Sequence, residues 1–559
     1  MTLDNMLFKP QSLVLNYKNT IENKLQKGMA LNNCERDKVL HERVFLYVTD
    51  EKDNVLRDNH NNFIMRTNSK AYLKNVLHYH YEYIIHQSKS KSLEMNELYK
   101  HIVEIFKAHF SILRIEKSNR LVVQNPFTGI YSWDKSQMQT WFMQIDSNLC
   151  ETQCNNLIFK LKTDLDIKEV SETHNCNYIM VNNGIYDVQH SELLPILPYE
   201  KNGFVFLRKI ATNYNPQARS KEITLQNDTK FSLDRFLDSL ASYYNENEEL
   251  VVDKEIRKLL LDIMTEVINP ELSSMAFFFY SQKAATGKSS YLNLLENIVG
   301  SNNTAQYSLR ETSRFQTSSF VDKILLSSDD VFSSTQRYLD SSSFNPIVTK
   351  GIIHIEEKGK SIQSTHLICT VIAAMNQLPD LTNAEGSLRR ITIVPFRHQL
   401  SYEERCEDLQ QVLNNREVRE YALLLALNNK YSKLKIPAIC ENLKTEYQKN
   451  ANSCTSFIDE VMSKFSNVRC IPTALVYDLY CHFANVSHDR IQSKRIIIPQ
   501  INNKLSGFKK TTTKLSSNDL NMLESILNDL DFISIDNLNQ NCLKTGVTVN
   551  AFVKLKLVK

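Results

Sequence analysis

"YSQKAATGKSSYLNLLENIVG", Tyr280 to Gly300, decides the fold of this chain, because it carries part of a phosphate-binding loop between two apolar segments. Such a loop reads Gly, four residues, then Gly-Lys-Ser or Gly-Lys-Thr. Gly287, Lys288 and Ser289 match the end of that pattern, whereas Gln282 stands where the first glycine is expected. The chain has only 11 glycines in 559 residues, so a glycine directly before a Lys-Ser pair is less expected by chance.

The segments on both sides of the loop predict the strand and the helix that such a loop requires. Upstream, "MAFFFY" (275–280) is a short apolar run typical of a buried strand. Downstream, apolar residues recur at helical spacing up to Gly300, which predicts an amphipathic helix; they are Tyr291, Leu294, Leu295, Ile298 and Val299.

The chemistry of this arrangement suits a triphosphate. Backbone N–H groups and the positive dipole end of the helix would hold phosphates, Lys288 adds a point charge, and the Ser289 hydroxyl is a ligand for Mg²⁺. We expect Gly287 to be hard to replace, since the backbone approaches the nucleotide there. The predicted nucleotide-contacting residues are Gln282, Thr286, Gly287, Lys288, Ser289 and Ser290.

Two segments after the loop place polar side chains at the ends of predicted strands. In "KILLSSDDVF" an apolar strand leads into Asp329 and Asp330, where one carboxylate would join Ser289 in the Mg²⁺ shell and the other would orient the attacking water. Paired acids alone are more typical of a solvated loop. In "HLICTVIAAMNQLPDL" a buried strand ends at Asn376, where an open α/β sheet places ligand contacts, so Asn376 would hold the γ-phosphate or the lytic water.

"SLRRITIVPF" is a further apolar strand preceded by Arg389 and Arg390. An arginine beside a strand end is usually an ion-pair residue. In a ring of subunits it would instead reach the neighbour's γ-phosphate and stabilise transition-state charge.

This order of motifs resembles the superfamily 3 helicases of the AAA+ class, in particular the primase-helicase branch of phages, plasmids and poxviruses. The most specific part is "NQLPDLTNAEGSLRRITIVPF" (376–396), and "VNNGIYDV" (181–188) and "NYNP" (213–216) extend the resemblance to about residues 175–400. Within mobile elements, the Asn-, Lys- and Ile-rich composition suggests a low-GC Gram-positive host, and the chain resembles the replication initiators of staphylococcal pathogenicity islands.

The resemblance implies a homo-hexameric, ATP- and Mg²⁺-dependent DNA helicase and replication initiator. It implies that Lys288 and Ser289 are the Walker A pair, Asp329 and Asp330 the Walker B acids, and Asn376 the sensor. It also implies that Arg390 is the finger supplied in trans, with Arg389 as a neighbouring candidate. Gln282 and Thr286 depart from the family pattern, which puts nucleotide affinity in doubt rather than the fold.

Members of this family carry a hairpin before the sensor strand whose basic tip points into the channel of the hexamer. Here "GIIHIEEKGKSIQSTHLI" alternates like two strands around Lys358, Gly359 and Lys360, and glycine suits the tight turn. The two lysines would contact the phosphates of single-stranded DNA without sequence preference. A solvated surface hairpin is the alternative.

The C-terminal segment 455–559 predicts a winged helix-turn-helix-like domain for duplex DNA at an origin, because helices are followed by basic extended segments. From residue 491 on it has 10 Lys or Arg against 5 Asp or Glu, although the whole chain has a net charge of only +3. A basic tail that only aids solubility is the alternative. The residues expected to contact DNA are Lys494, Arg495, Lys504, Lys509 and Lys510.

The predicted fold class is multidomain α/β: an AAA+ P-loop core with a helical collar, an N-terminal α+β region and a C-terminal winged-helix-like domain. Its predicted parts are an N-terminal accessory domain at 1–175, a connector and helical collar at 176–268, the helicase core at 269–400, a helical lid or linker at 401–454 and the DNA-binding domain at 455–559. Residues 230–268 are helical by periodicity.

Residues 1–175 are the least informative part of the chain. Asp50 and Asp53 are reminiscent of a metal-dependent primase, but the sequence places no third ligand beside them, so an adaptor or auxiliary DNA-binding domain is favoured.

The composition, 42% hydrophobic and 23% charged, is that of an ordinary globular protein. No apolar run approaches the ~20 residues that span a bilayer, and the N-terminus lacks the apolar core of a signal peptide, so we expect a cytoplasmic protein without membrane partners. Eleven cysteines indicate reduced thiols. For Cys150, Cys154, His174 and Cys176, thiols packed on helices are favoured over a zinc site because the spacing is not that of a zinc ribbon.

The sequence leaves two alternatives to a DNA helicase open. The first is a non-enzymatic origin-binding protein with an inactive P-loop. The second is a P-loop ATPase that remodels or packages a protein substrate. Host replication proteins stay open as further partners.

Overall fold

The computed structural model describes most of the chain: residues 21–41, 55, 57, 63, 69–87, 94–116, 119–173, 176–225, 230–309, 316–329, 338–339, 341–356, 363–381, 384–400, 408–431, 433–450, 453–486, 491, 493–505, 507–530, 538 and 543–554. The chain divides into two compact units. The first unit comprises 1–333, 342–377 and 394–437, and the second comprises 334–341, 378–393 and 438–559. Both units combine helices with sheets, so the chain is a mixed α/β multidomain protein.

The N-terminal part of the first unit packs helices around a four-stranded sheet of order β3-β2-β1-β4. Its helices are α1 (Ile21–Gln26), α2 (Asn33–His41), α3 (Ser69–Gln87), α4 (Met95–His109), α5 (Lys135–Ile145) and α6 (Glu151–Thr163), and its strands are β1 (Ile112–Ile115), β2 (Arg120–Gln124), β3 (Tyr131–Ser132) and β4 (Glu169–Val170). Ile102, Ile105 and Phe106 in α4 recur at helical spacing and are fully buried against Trp141 and Phe142 of α5. Asp50 and Asp53 lie outside the described residues.

The cysteines singled out in the sequence do not converge among the residues that the structure describes. Cys154 is buried in α6, Cys150 is exposed directly before that helix, and Cys176 is exposed. The potential metal ligands that do lie together in the described chain are Asp187, His190 and Glu192. His174 lies outside the described residues.

The connector after β4 is built from small antiparallel sheets. Its elements are β5 (Tyr178–Val181), β6 (Gly184–Asp187), β7 (Glu192–Leu194), α7 (Tyr199–Asn202), β8 (Ile223–Thr224) and β9 (Lys230–Phe231). The two motifs noted in the sequence meet here: Asn182 Nδ2 donates to Asn213 Oδ1 at 2.8 Å, and the Asn183 side chain bonds both backbone groups of Tyr214. Short amide side chains thus fasten the β5–β6 turn to the segment at 212–214.

The prediction that residues 230–268 are helical is wrong in the middle of this segment. Helix α8 (Leu233–Ala241) and helix α9 (Lys254–Ile268) are separated by an antiparallel hairpin, β10 (Ser242–Tyr244) with β11 (Leu250–Val252). Asp253 ends the hairpin and caps α9 through hydrogen bonds from the backbone N–H groups of Glu255 and Ile256. Capping favours a new helix start over continuation of the first helix.

The centre of the first unit is a five-stranded sheet of order β13-β14-β18-β12-β20. Its strands are β12 (Ala276–Tyr280), β13 (Thr304–Gln306), β14 (Leu325–Asp329), β18 (Thr370–Met375) and β20 (Ile391–Pro395), of which residues 394–395 belong to this unit. The pairs β13–β14, β14–β18 and β18–β12 are parallel. Helix α10 (Lys288–Val299) follows β12, and the five apolar residues predicted for it are all buried.

Further elements complete the first unit. Helix α11 (Ser341–Val348) precedes the antiparallel pair β16 (Ile352–Ile355) and β17 (Gln363–His366), so the two strands of the predicted basic hairpin are present, with Ile352 opposite His366. The region predicted as a lid contains α13 (Leu409–Leu413), α14 (Arg416–Asn428) and α15 (Ala438–Asn450), the last of which belongs to the second unit. Short 3-10 helices lie at 301–303 and 316–320 in this unit, and a third, at 462–465, belongs to the second unit.

The second unit has its own core, built from helices packed on a three-stranded antiparallel sheet of order β21-β23-β22. Its elements are β15 (Tyr338–Leu339), β19 (Asp380–Leu381), α12 (Ala384–Leu388), α16 (Ser453–Glu460), β21 (Cys470–Pro472), α17 (Thr473–Val486), α18 (Lys494–Lys504), β22 (Phe508–Lys514), α19 (Ser517–Asn528) and β23 (Thr548–Lys554). Two helices followed by a strand pair is the order expected of a winged helix-turn-helix, with α19 inserted between β22 and β23. None of the described helices is long and apolar enough to cross a membrane.

Candidate nucleotide-binding site

Three adjacent strands bring distant polar residues to one edge of the central sheet. The register pairs Tyr280 with Met375 and Asp329 with Ala374. Because these strands are parallel, the loop after β12, the end of β14 and Asn376 after β18 meet at the same carboxyl edge. An open α/β sheet binds its ligands at this edge.

The loop 281–287 between β12 and α10 contains two left-handed residues, Ala285 at φ 55° and Gly287 at φ 80°. Gln282 is not among the described residues with positive φ, so an ordinary side chain is accommodated where the motif has its first glycine. The chain after β20 holds the loop from outside: the Leu400 N–H donates to Ala285 O at 2.9 Å, and Gln399 Nε2 donates to Ala284 O at 3.2 Å.

Gly287 caps α10 and packs tightly against the helix before the hairpin. A Cβ built on Gly287 would lie 2.3 Å from Cδ2 of Leu240 in α8. Both the positive φ and the close neighbour exclude a larger residue. The requirement for glycine inferred from the sequence therefore has a second cause, a packing contact that the sequence did not indicate.

The Lys288 ammonium is held inside the loop by oxygen atoms. Lys288 is only 7% exposed, and its Nζ donates to Asn376 Oδ1 at 2.9 Å, Thr286 Oγ1 at 3.2 Å and Lys283 O at 3.3 Å. A buried ammonium is stable only where such acceptors compensate for lost hydration. Asn376 and Lys288 are thus joined directly, although 88 residues separate them.

Ser289 and Asp329 form a second oxygen pair beside the first. The Ser289 hydroxyl donates to Asp329 Oδ1 at 3.0 Å, and both side chains are exposed at the sheet edge. Hydroxyl and carboxylate oxygens are ligands that Mg²⁺ prefers. The residues present therefore fit a magnesium–triphosphate group: Ser289 and Asp329 for the metal, and Lys288 with the first turn of α10 for the phosphates.

A second carboxylate lies on α10 two turns beyond Ser289. The Ser327 hydroxyl donates to Glu296 Oε1 at 2.6 Å, which links the helix to β14. Burial, and next the charge of Asp329, raise the pKa of Glu296. The sequence did not single out Glu296, because no motif includes it.

The far end of α10 is fixed by the connector. The Ala211 N–H donates to Val299 O at 3.0 Å, and Thr212 Oγ1 donates to Ile298 O at 2.7 Å. Asn303 Nδ2 bridges the carbonyls of Val299 and Lys209. These bonds satisfy carbonyls at the helix end that have no intrahelical partner, and they attach the segment 209–212 to the end of α10.

Five other predicted site residues are not among the described residues of the first unit. Asp330, Lys358 and Lys360 lie outside the described residues. Arg389 and Arg390 belong to the second unit, where the Arg390 guanidinium donates to Gly386 O and burial lowers its pKa.

The predicted DNA-contacting residues of the C-terminal segment lie on two elements of the second unit. Lys494 and Arg495 are exposed at the start of α18, and Lys509 and Lys510 are exposed on β22. Lys504 is the last residue of α18. The exposed basic residues therefore follow one another along the helix and strand that a winged helix-turn-helix would present to a duplex.

Residues 279–390 match a family described as a family of unknown function, DUF5906. The matched segment contains the loop, Asp329 and Asn376. No curated protein matches the chain.

Solved structures of the C-terminal region of NrS-1 are similar to 83% of this chain over 100% of their own length. Two apo structures have TM-scores of 0.42 and 0.44 at 12% identity, and a third has 0.42 at 14%. Similarity at this level transfers no activity to the chain.

Proposed function

We propose that this chain is an ATP-dependent DNA helicase and replication initiator of a mobile genetic element, working as a homo-hexamer. The observation that carries the proposal is the convergence of two pairs at one sheet edge, Lys288 with Asn376 and Ser289 with Asp329. Their order along the chain is that of the superfamily 3 helicases, and the central sheet places the loop strand β12 beside β18 and β18 beside β14. The resemblance to replication initiators of staphylococcal pathogenicity islands supports the proposal that the chain belongs to a mobile genetic element.

The residues of the loop act on the triphosphate by position and charge. The first-turn N–H groups of α10 and the Lys288 ammonium bind phosphate oxygens, and Asn376 orients the ammonium and the attacking water. Ser289 and Asp329 would hold a Mg²⁺ ion, which would supply positive charge to the phosphate oxygens. Asp330 helps to orient that water, and Arg390 of a neighbouring subunit, or Arg389 beside it, stabilises the transition state.

Translocation would use the hairpin formed by β16 and β17. The segment between these strands contains Lys358 and Lys360, whose proposed role is to contact one DNA strand through its phosphates, and the family implies movement from 3′ to 5′. Replacing both lysines with alanine is expected to reduce unwinding of a tailed duplex; unwinding at the wild-type rate would exclude this role.

The central test is ATP turnover with and without single-stranded DNA, combined with a mass measurement in the presence of nucleotide. Lys288→Ala is expected to lower turnover by about a hundredfold or more, because a buried charge aimed at the phosphates is lost. Lys254→Ala is the matched control, since Lys254 is also the first residue of a helix but is exposed. Turnover that ignores Lys288→Ala, or no turnover at all, favours an origin-binding protein with an inactive loop. Turnover indifferent to DNA favours a protein-remodelling or packaging ATPase.

A second candidate function, recognition of origin duplex, rests on the second unit. Its helices α17 and α18 and its strands β22 and β23 follow winged-helix order, and exposed basic side chains lie on α18 and β22. Deletion of 455–559 is expected to abolish preference for origin DNA over random duplex, measured by competition at fixed salt. An unchanged preference would exclude this role.

A further inference from the structure

An exposed aromatic side chain lies on the hairpin between α8 and α9 and has no part in the function proposed above. Tyr244 is the last residue of β10 and is 59% exposed. Single exposed apolar residues are common on protein surfaces. The neighbourhood of Tyr244 distinguishes it from such residues.

The Tyr244 ring is backed by a histidine from the chain that follows the central sheet. The centroids of Tyr244 and His398 lie 5.8 Å apart with a tilt of 60° between the rings. His398 is 4% exposed, so the buried imidazole forms a support behind a solvent-facing phenol ring.

Tyr243 and Arg397, the residues next to Tyr244 and His398, form a second contact between the hairpin and the segment after β20. The Arg397 guanidinium lies 4.1 Å from the centroid of the Tyr243 ring and forms an ion pair with Asp253, which caps α9. A cation over an aromatic face and a partly buried ion pair both restrict motion. The hairpin and the 397–398 segment are therefore held in a defined relative position.

Both elements also contact the loop, one from each side. On one side Leu240, four residues before Tyr244, meets Gly287. On the other side the Leu400 N–H, two residues after His398, donates to Ala285 O. The Tyr244–His398 pair thus joins two elements that both contact the loop 281–287.

We propose that Tyr244 is the stacking platform for the base of the nucleoside triphosphate, with His398 as the residue that positions its ring. This inference rests on the proposed function, because it assumes that phosphates bind at Lys288. A phenol face stacks on any base without contacting the base edge, so ATP and GTP are expected to bind alike. Because stacking is stronger for the larger purine bases, purine nucleoside triphosphates are expected to bind more tightly than pyrimidine ones.

The test is equilibrium binding by titration calorimetry with the full-length protein and three magnesium-bound probes: ATP, UTP and inorganic tripolyphosphate. Tripolyphosphate has no base and reports on the phosphate site alone. Tyr244→Ala is expected to weaken ATP binding by about 5- to 150-fold, the range found when one stacked aromatic is removed. UTP binding is expected to weaken less than ATP binding, so the preference for purine nucleotides becomes smaller. Tripolyphosphate binding is expected to stay unchanged.

Two further variants separate stacking from damage to the hairpin. Tyr244→Phe keeps the ring and is expected to bind ATP within about twofold of wild type, since stacking does not need the hydroxyl. Leu250→Ala removes the residue directly opposite Tyr244 in the hairpin, itself 47% exposed, without removing an aromatic face, and is expected to bind ATP like wild type.

Each contrary result has a distinct meaning. Unchanged ATP binding in Tyr244→Ala overturns the platform, and so does an equal loss of tripolyphosphate, or a loss in Leu250→Ala as large as in Tyr244→Ala. If wild type binds tripolyphosphate and ATP equally well, the phosphate site stands and the platform falls. If wild type binds neither probe, the proposed function fails together with this inference.

Discussion

Replacing Gly287 with alanine puts a methyl group where the structure has no room for one. Its Cβ would lie 2.3 Å from Cδ2 of Leu240, whereas ordinary van der Waals contact begins at 3.4 Å. The backbone at Gly287 also has φ +80°, a conformation that residues with a Cβ rarely adopt. The substitution therefore carries two separable costs, one from the backbone and one from packing.

The two costs are of similar size. Positive φ costs an alanine about 1–2 kcal/mol. Forcing a methyl group into a packed site costs about 1–3 kcal/mol. Holding the loop in this conformation to bind MgATP then costs ~2–5 kcal/mol, and at about tenfold per 1.4 kcal/mol the Kd rises roughly 30-fold to several thousandfold.

The assay is the Kd for MgATP by titration calorimetry, measured for Gly287→Ala, Leu240→Ala and the double variant. Leu240→Ala opens the space that the methyl group needs, so the double variant should recover the packing cost and keep the backbone cost. The double variant should then bind MgATP about 5- to 30-fold more weakly than wild type. A coupling energy between two residues in contact is what such a cycle measures.

Gly203→Ala is the matched control, because Gly203 also has positive φ, +74°, but nothing lies within 4 Å of its Cβ position. Its Kd should equal that of wild type. Wild-type binding by Gly287→Ala would refute the assignment of this loop as the phosphate site. A double variant no better than Gly287→Ala would refute the packing contribution and leave only the backbone.

Three further predictions concern charge. Asp329→Asn should lower Mg²⁺-dependent ATP turnover by at least about tenfold, because an amide is a poorer magnesium ligand than a carboxylate; equal turnover across a magnesium titration would exclude Asp329 as a ligand. Burial raises the pKa of Glu296 above its ordinary 4.5, so the contribution of this carboxyl to stability is present below pH 4.5 and is lost as pH rises through the folded-state pKa. Glu296→Gln should therefore raise Tm near neutral pH and leave Tm unchanged below pH 4.5. A shift in Tm of equal size at both pH values would contradict this. Lys509→Glu with Lys510→Glu should weaken duplex DNA binding and reduce the slope of log K against log salt by about 2 or more, whereas Thr511→Ala on the same exposed strand should change neither.

The site was predictable from the sequence in its local parts. Lys288, Ser289, the strand before them and the helix after them follow from a short motif and from hydrophobic periodicity within about twenty residues. Apolar or alternating runs likewise predict the strands that end near Asp329 and Asn376 and the strand pair β16–β17. Such signals are contained in one element each, which is why they survive without knowledge of the fold.

Periodicity failed where an element was interrupted by residues that still looked helical. Residues 230–268 carry apolar side chains at helical spacing on both sides of "SYYNENEELVV", and the hairpin between α8 and α9 was missed. The signals that indicate it are the β-branched and aromatic residues at 243–252 around Asn245, which favour strands and a turn. Tyr244 and His398 were missed with it, because neither residue belongs to a motif.

The sequence by itself determined the strand before the loop and the helix after it, since backbone conformation and amphipathic spacing are properties of neighbouring residues. Only the tertiary structure decided that β18 lies between β12 and β14, that Asn376 therefore reaches Lys288, and that Leu240 closes on Gly287. Strand order and side-chain contact across 88 or 47 residues depend on how separate elements share one buried core. That competition for burial is settled by the whole chain and leaves no trace in any single stretch of it.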